Sequence, residues 1–145
     1  MKSVYRVLAY LVAVGVLLQA ANISFAWFSA ISELDQGAII DANYEGNTGH
    51  MLHGVVGMMG IPVVALLLFI VAFFAKEAGG VKWAGIILVV ALVQVGLAFL
   101  SFGIPAVGAL HGINALVLFA VAHMAGHRMT AAPAEHAHSS VGATV

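Results

Sequence analysis

Long apolar runs alternate with short polar connections along this chain. Four runs stand out, at about residues 4–28, 50–75, 81–102 and 105–127. Each is near or above the roughly 20 residues that a membrane-spanning helix needs. The short connection around Gly103 and Pro105 predicts that the last two helices are antiparallel neighbours. The pattern therefore predicts an all-α, integral membrane four-helix bundle over residues 1–128.

The remaining residues, 129–145, are small and polar and include Pro133. This composition predicts a disordered tail. His136 and His138 within it could bind a divalent metal, but an unstructured tail accounts for them adequately. The first apolar run, preceded by Lys2, has a cleaved signal peptide as its alternative. Its length exceeds the apolar core of such a peptide, which favours a structural helix.

The few charged residues predict how the bundle is oriented. All five cations fall on one side of a four-helix arrangement: Lys2, Arg6, Lys76, Lys82 and Arg128. The connection between the first two helices, SAISELDQGAIIDANYEGNTG, has four acidic residues and no cation. The positive-inside rule then places both termini, and with them the tail, in the cytoplasm. We expect a multi-pass protein of a bacterial plasma membrane.

Composition excludes several classes of function. Hydrophobic residues make up 63% of the chain and charged residues only 8%, which is too little charge to cover a soluble domain. The absence of cysteine excludes disulfides, thiolate metal sites and c-type haem attachment. The net charge of −1 provides no basic surface for nucleic acid.

A short internal repeat relates the first helix pair to the second. The first and third helices each carry a glutamine, Gln19 and Gln94, and the second and fourth each begin with Leu-His-Gly, at His53 and His111. Each pair starts and ends on the same side, so the repeat is parallel. His53 and His111 should therefore lie at similar depth, near the outer ends of their helices.

Two histidines at one depth on opposing helices predict a haem held from both faces. Ionisable residues inside membrane spans usually face the bundle interior and mark functional sites. Neutral imidazole supplies a nitrogen lone pair to iron without bringing a charge into lipid. His53 and His111 are the predicted ligands of one haem b, with His50 as an alternative ligand or a polar helix terminus. The alternative without a haem is that both histidines only form hydrogen bonds near the membrane interface.

Glycines beside the histidines could leave room for a flat macrocycle. Gly57 and Gly60 follow His53 by four and seven residues on the same helical face, and Gly112 adjoins His111. Gln19, Gln94 and Asn114 are expected mainly to form interhelical hydrogen bonds, with pocket lining as the alternative. His123 and His127 have no counterpart at their level on another helix, so a second haem is not predicted.

The residues LVQVGLAFLSFGIPAVGALHGINALVLFAVA resemble the last two helices of the four-helix half-unit of haem A synthases. The first pair follows the same plan, and the likeness covers about residues 7–125. The chain also resembles small four-helix membrane proteins of unknown function. The resemblance implies haem ligation at the positions of His53 and His111. This chain differs by having His50 and Gly54 where the family has Glu and Arg, by lacking the loop cysteines, and by being one half-unit.

These features predict a membrane b-type cytochrome with its haem near the extracytoplasmic face. It would transfer single electrons between a quinol or redox protein and another partner, as a single chain, a homodimer or part of a larger complex. The alternative is a haem-free accessory or scaffold subunit of a membrane complex. A haem-modifying enzyme related to haem A synthase is a third hypothesis, so whether the chain is an enzyme stays open.

Overall fold

The computed structural model describes residues 1–128, which form four helices. They are α1 (Lys2–Asp35), α2 (Thr48–Ala75), α3 (Gly80–Gly103) and α4 (Val107–Arg128). Each helix is long and apolar enough to cross a membrane. The structure confirms the predicted all-α membrane bundle. The tail predicted for residues 129–145 lies outside the described residues.

The four helices pack in a closed ring of neighbours. α1 packs against α2 and α4, and α3 packs against the same two helices. Consequently α2 and α4 lie diagonally across the bundle, as do α1 and α3. The diagonal relation is important because His53 belongs to α2 and His111 to α4, so that the two side chains can meet only across the bundle axis.

Contacts between residues distant in sequence close one end of the bundle, which we call the cationic end. The Lys2 ammonium lies 2.8 Å from the Glu77 carboxylate, and the Tyr5 hydroxyl donates to the Gly80 carbonyl at 3.1 Å. The Arg128 guanidinium lies over the Trp83 ring, 5.1 Å from its centroid. The start of α1, the α2–α3 connection and the end of α4 therefore meet, as the charge pattern predicts.

The packed core occupies the half of the bundle next to the cationic end. It is built from small and branched residues that are almost completely buried. They include Ala9, Val12, Ala65, Leu68, Ala84, Ile87, Leu118 and Ala122. Small residues allow close approach of helices in membranes. On α3 no described residue beyond Ala91 is buried, and on α4 none before Leu118 is buried. The other half, which we call the loop half, is therefore loosely filled on these two helices.

Helix α1 extends to Asp35, beyond Phe28, where the sequence predicts its end. The extra residues, SAISELD, mix polar and apolar side chains that are compatible with a helix, and hydropathy marks the apolar run rather than the end of the helix. Helix α2 begins at Thr48, where the Asn47 side chain accepts hydrogen bonds from the backbone N–H groups of Gly49 and His50. Such a side chain satisfies amide groups that the first turn leaves unpaired.

Helix α2 contains a π-helical stretch at Val56–Gly60, which begins three residues after His53. Pro62 follows, and a proline ring lacks an N–H and collides with the carbonyl four residues earlier. The wider π turn accommodates this conflict, and such turns are frequent at functional sites. The π turn contains one more residue than an α turn, so side chains before and after it do not keep the spacing of a regular α-helix.

Candidate haem-binding site

The rings of His53 and His111 face each other across the bundle. Their centroids are 6.2 Å apart and their planes are inclined by 64°. They come from the diagonal helices α2 and α4, in the loosely filled loop half. The similar depth predicted from the repeat is therefore observed, and the two imidazoles form the centre of the candidate site.

Both imidazoles are anchored by the same contact, which repeats in the two helix pairs. His53 Nδ1 lies 3.1 Å from the backbone carbonyl of Gln19, and His111 Nδ1 lies 3.1 Å from that of Gln94. A carbonyl oxygen only accepts, so each Nδ1 donates its proton and each Nε2 keeps its lone pair. A hydrogen bond of this kind fixes the tautomer and orientation of a ligating histidine.

The Gln94 side chain connects α3 to α4 through a complete set of hydrogen bonds. Its Nε2 donates to His111 Nε2 at 3.1 Å and to the His111 carbonyl at 3.0 Å. Its Oε1 accepts from Asn114 Nδ2 at 2.7 Å, and Asn114 also donates to the Val90 carbonyl at 3.1 Å. The predicted interhelical role of Gln94 and Asn114 is thus observed.

The Gln19 side chain differs from that of Gln94, although its backbone makes the equivalent contact. Gln19 is only 7% exposed, and neither its Nε2 nor its Oε1 has a hydrogen-bond partner among the described residues. Its Oε1 would lie 3.5 Å from a Cβ at Gly57. A buried amide without partners is costly, so this group is a candidate for contact with a bound molecule.

We expect Gln19→Leu to raise the free energy of unfolding of the haem-free protein by about 1–3 kcal/mol, the usual cost of an unpaired buried polar group. Equilibrium unfolding of the detergent-solubilised protein in sodium dodecyl sulfate measures the change. The matched control is Gln94→Leu, which should lower stability because it removes the side-chain hydrogen bonds to Asn114 and to His111. Destabilisation by Gln19→Leu would contradict the description of this amide as unpaired.

His50, the alternative ligand, has a local structural role. Its Nδ1 accepts from the Asn47 backbone N–H at 3.3 Å, completing the reciprocal cap of α2. Its ring packs edge-on against Trp27 and Tyr44, with centroids 5.2 and 6.3 Å away. Unlike the His53 ring, which faces His111, the His50 ring is held against aromatic side chains of the loop end.

The loop between α1 and α2 folds back onto the end of α1. Asn47 Nδ2 donates to the Ala26 carbonyl at 2.8 Å, and the Tyr44 hydroxyl donates to Glu33 Oε2 at 3.2 Å. Desolvation, followed by the Glu33 carboxylate, raises the pKa of Tyr44. These contacts hold the start of α2, and with it the first turn that leads to His53.

The predicted glycines have three different surroundings. A Cβ at Gly57 would face Gln19, whereas at Gly60 it would meet Val56 of the same helix, 3.3 Å away. The structure therefore does not bring Gly60 together with the other site residues, because the π turn alters the face. Gly112 is exposed and a Cβ there would meet no described atom within 4 Å, so the structure does not show this glycine lining the space between the imidazoles.

The remaining histidines of the described chain lie towards the cationic end. His123 stacks between Phe119 and His127 along α4 and meets Tyr10 of α1 edge-on. Within residues 1–128 there is no group of three or more His, Cys, Asp or Glu side chains placed to hold a metal ion. The donors available near the bundle axis are the two facing imidazoles.

No family model, curated protein or solved structure matches this chain. The likeness to haem A synthases consequently stays a prediction from a few residues.

Proposed function

We propose that this chain is a small membrane b-type cytochrome that binds one haem b between His53 and His111. The observation that carries the proposal is the facing pair of imidazoles, each oriented by an Nδ1–H bond to a glutamine carbonyl at 3.1 Å. This arrangement leaves Nε2 as the lone-pair nitrogen of each ring, in two rings that face each other across the bundle. It is the donor set that a six-coordinate haem requires.

The separation of the rings suits a metal between them. Two bonds of about 2 Å from imidazole nitrogen to metal, the length found for zinc, together with the half-width of each ring, separate the centroids by about 6 Å. The observed value is 6.2 Å. The loosely filled loop half supports accommodation of a flat ring system, and the buried Gln19 amide, which has no partner among the described residues, supports a bound group beside it.

The residues of the chain would bind and orient the group, which itself supplies one-electron chemistry when bound. His53 and His111 would provide the axial nitrogens, and the carbonyls of Gln19 and Gln94 would hold both rings in place. The buried Gln19 amide would contact the edge of the bound group beside Gly57. Ligation from both sides favours electron transfer over reaction of a substrate at the iron.

In this proposal, the charge distribution sets the side of the membrane on which the haem exchanges electrons. The positive-inside rule assigns the cationic end to the cytoplasm of a bacterial plasma membrane and the loop half to the extracytoplasmic side. A single haem on that side does not carry electrons across the whole bilayer. The chain would therefore exchange electrons with a quinol or a redox protein near the outer surface, or within a larger complex.

A reduced-minus-oxidised visible spectrum of the detergent-purified protein, produced with ample haem, tests the proposal. The expected result is the sharp spectrum of a low-spin haem b. A colourless protein that copurifies with other membrane subunits would instead identify a scaffold, and the proposal would fail. Recovery of a chemically altered porphyrin would identify a haem-modifying enzyme.

A further inference from the structure

The two facing histidines differ in what their Nε2 atoms contact. His111 Nε2 accepts a hydrogen bond from the Gln94 amide at 3.1 Å, and Asn114 holds that amide in position through Gln94 Oε1 at 2.7 Å. The structure gives His53 Nε2 no hydrogen-bond partner among the described residues. The lone pair of His111 is therefore already engaged by the protein, whereas that of His53 is not.

The difference has a cause in the sequence. Asn114 follows His111 by three residues, and the residue in the same place after His53 is Val56. Valine cannot accept or donate a hydrogen bond, so nothing in the first pair anchors the Gln19 amide as Asn114 anchors that of Gln94. The Gln19 side chain accordingly remains unpaired. The repeat is symmetric in its backbone contacts and asymmetric in its side-chain contacts.

We propose, on the basis of the haem-binding function above, that His111 is the exchangeable axial ligand and that Gln94 is the residue that holds it when it leaves the iron. With haem bound, the Gln94 N–H would compete with the iron for the His111 Nε2 lone pair, and a small uncharged ligand of the carbon monoxide class would bind where His111 is released. No electron or proton is transferred. His53, with no competing partner, stays bound.

One hydrogen bond, from the Gln94 amide to His111 Nε2, sets how strongly the released state of His111 is favoured. A neutral hydrogen bond shifts an equilibrium between two states by roughly 2- to 12-fold. Gln94 should favour the released state of His111 by this factor. The backbone carbonyl of residue 94, which anchors His111 Nδ1, is unaffected by a change of side chain. A substitution at Gln94 therefore alters the competition for Nε2 and leaves the other anchor of the ring in place.

The test is equilibrium binding of carbon monoxide to the reduced, haem-loaded protein, followed by visible absorption. Gln94→Leu should weaken carbon monoxide binding by about 2- to 12-fold, because released His111 loses its hydrogen bond. Asn114→Leu should shift binding in the same direction by freeing the Gln94 amide. The matched control is Gln36→Leu, which makes the same change at an exposed glutamine bonded to Ser32 and should leave carbon monoxide affinity unaltered.

A second measurement needs no haem. In the haem-free protein, the nitrogen-15 resonance of His111 Nε2 should move in Gln94→Leu and stay in place in Gln19→Leu. A protein that binds haem but shows equal carbon monoxide affinity in wild type and Gln94→Leu would overturn this inference alone. An equal effect of Gln36→Leu would do the same. A chain that takes up no haem would overturn the proposed function and this inference together.

Discussion

Replacing His53 with alanine is expected to lower the affinity for haem by more than about 100-fold, since loss of a ligand's outer hydrogen bond alone costs about 10–100-fold. Replacing His111 with alanine is expected to convert any bound haem from low spin to high spin, because one axial nitrogen is removed. Haem titration of the purified variants, followed by visible spectroscopy, measures both effects. These are the largest functional effects that the site predicts.

The control for these variants is His123→Ala. His123 lies on α4, as His111 does, but it stacks between Phe119 and His127 towards the cationic end. Its removal should leave both haem affinity and spin state unchanged. If His123→Ala weakened haem binding as much as His53→Ala, the pairing of His53 with His111 would be the wrong description of the site.

Substituting Gly49 with alanine is expected to give the largest loss of stability. A Cβ there would lie 2.7 Å from the Asn22 carbonyl oxygen, and 2.8 and 2.9 Å from the backbone N and Cα of Ala26. These are backbone atoms of α1, which cannot rotate away as a side chain would. Forcing an extra carbon into such a contact typically costs about 1–3 kcal/mol. Equilibrium unfolding of the haem-free protein measures the loss.

Gly96→Ala is the matched control for Gly49→Ala. A Cβ at Gly96 would meet no described atom within 4 Å. Alanine also favours helix interiors over glycine by roughly 0.5–1 kcal/mol, so stability should be unchanged or slightly raised. Equal destabilisation by the two substitutions would show that the close contact of α1 with α2 at Gly49 is not what stabilises the loop half.

The four helices could be predicted from hydropathy because a membrane span requires a long apolar run. The end of α1 could not, since the helix continues through a mixed polar and apolar segment up to Asp35. The π turn at Val56–Gly60 was also missed, although Pro62 and the neighbouring glycines signalled a departure from regular helix. Local backbone conflicts of this kind are resolved by packing, which periodicity does not report.

The facing of His53 and His111 followed from the repeat, because equivalent positions in parallel repeats lie at equivalent depth. The different hydrogen bonding of Gln19 and Gln94 could not be foreseen from their identical side chains. It depends on Asn114 and Val56, which lie on the neighbouring helices and matter only once the helices are packed. His50 was an open alternative, and its capping role required the position of Asn47.

The most direct test of the central claim is electron paramagnetic resonance of the oxidised, haem-loaded protein, combined with the haem content per chain. The account predicts one haem per chain and the low-spin ferric signal of two imidazole ligands. It also predicts that this signal is replaced by a high-spin signal in His111→Ala. A chain without haem, or a wild-type signal that is high spin throughout, would contradict a haem held between His53 and His111.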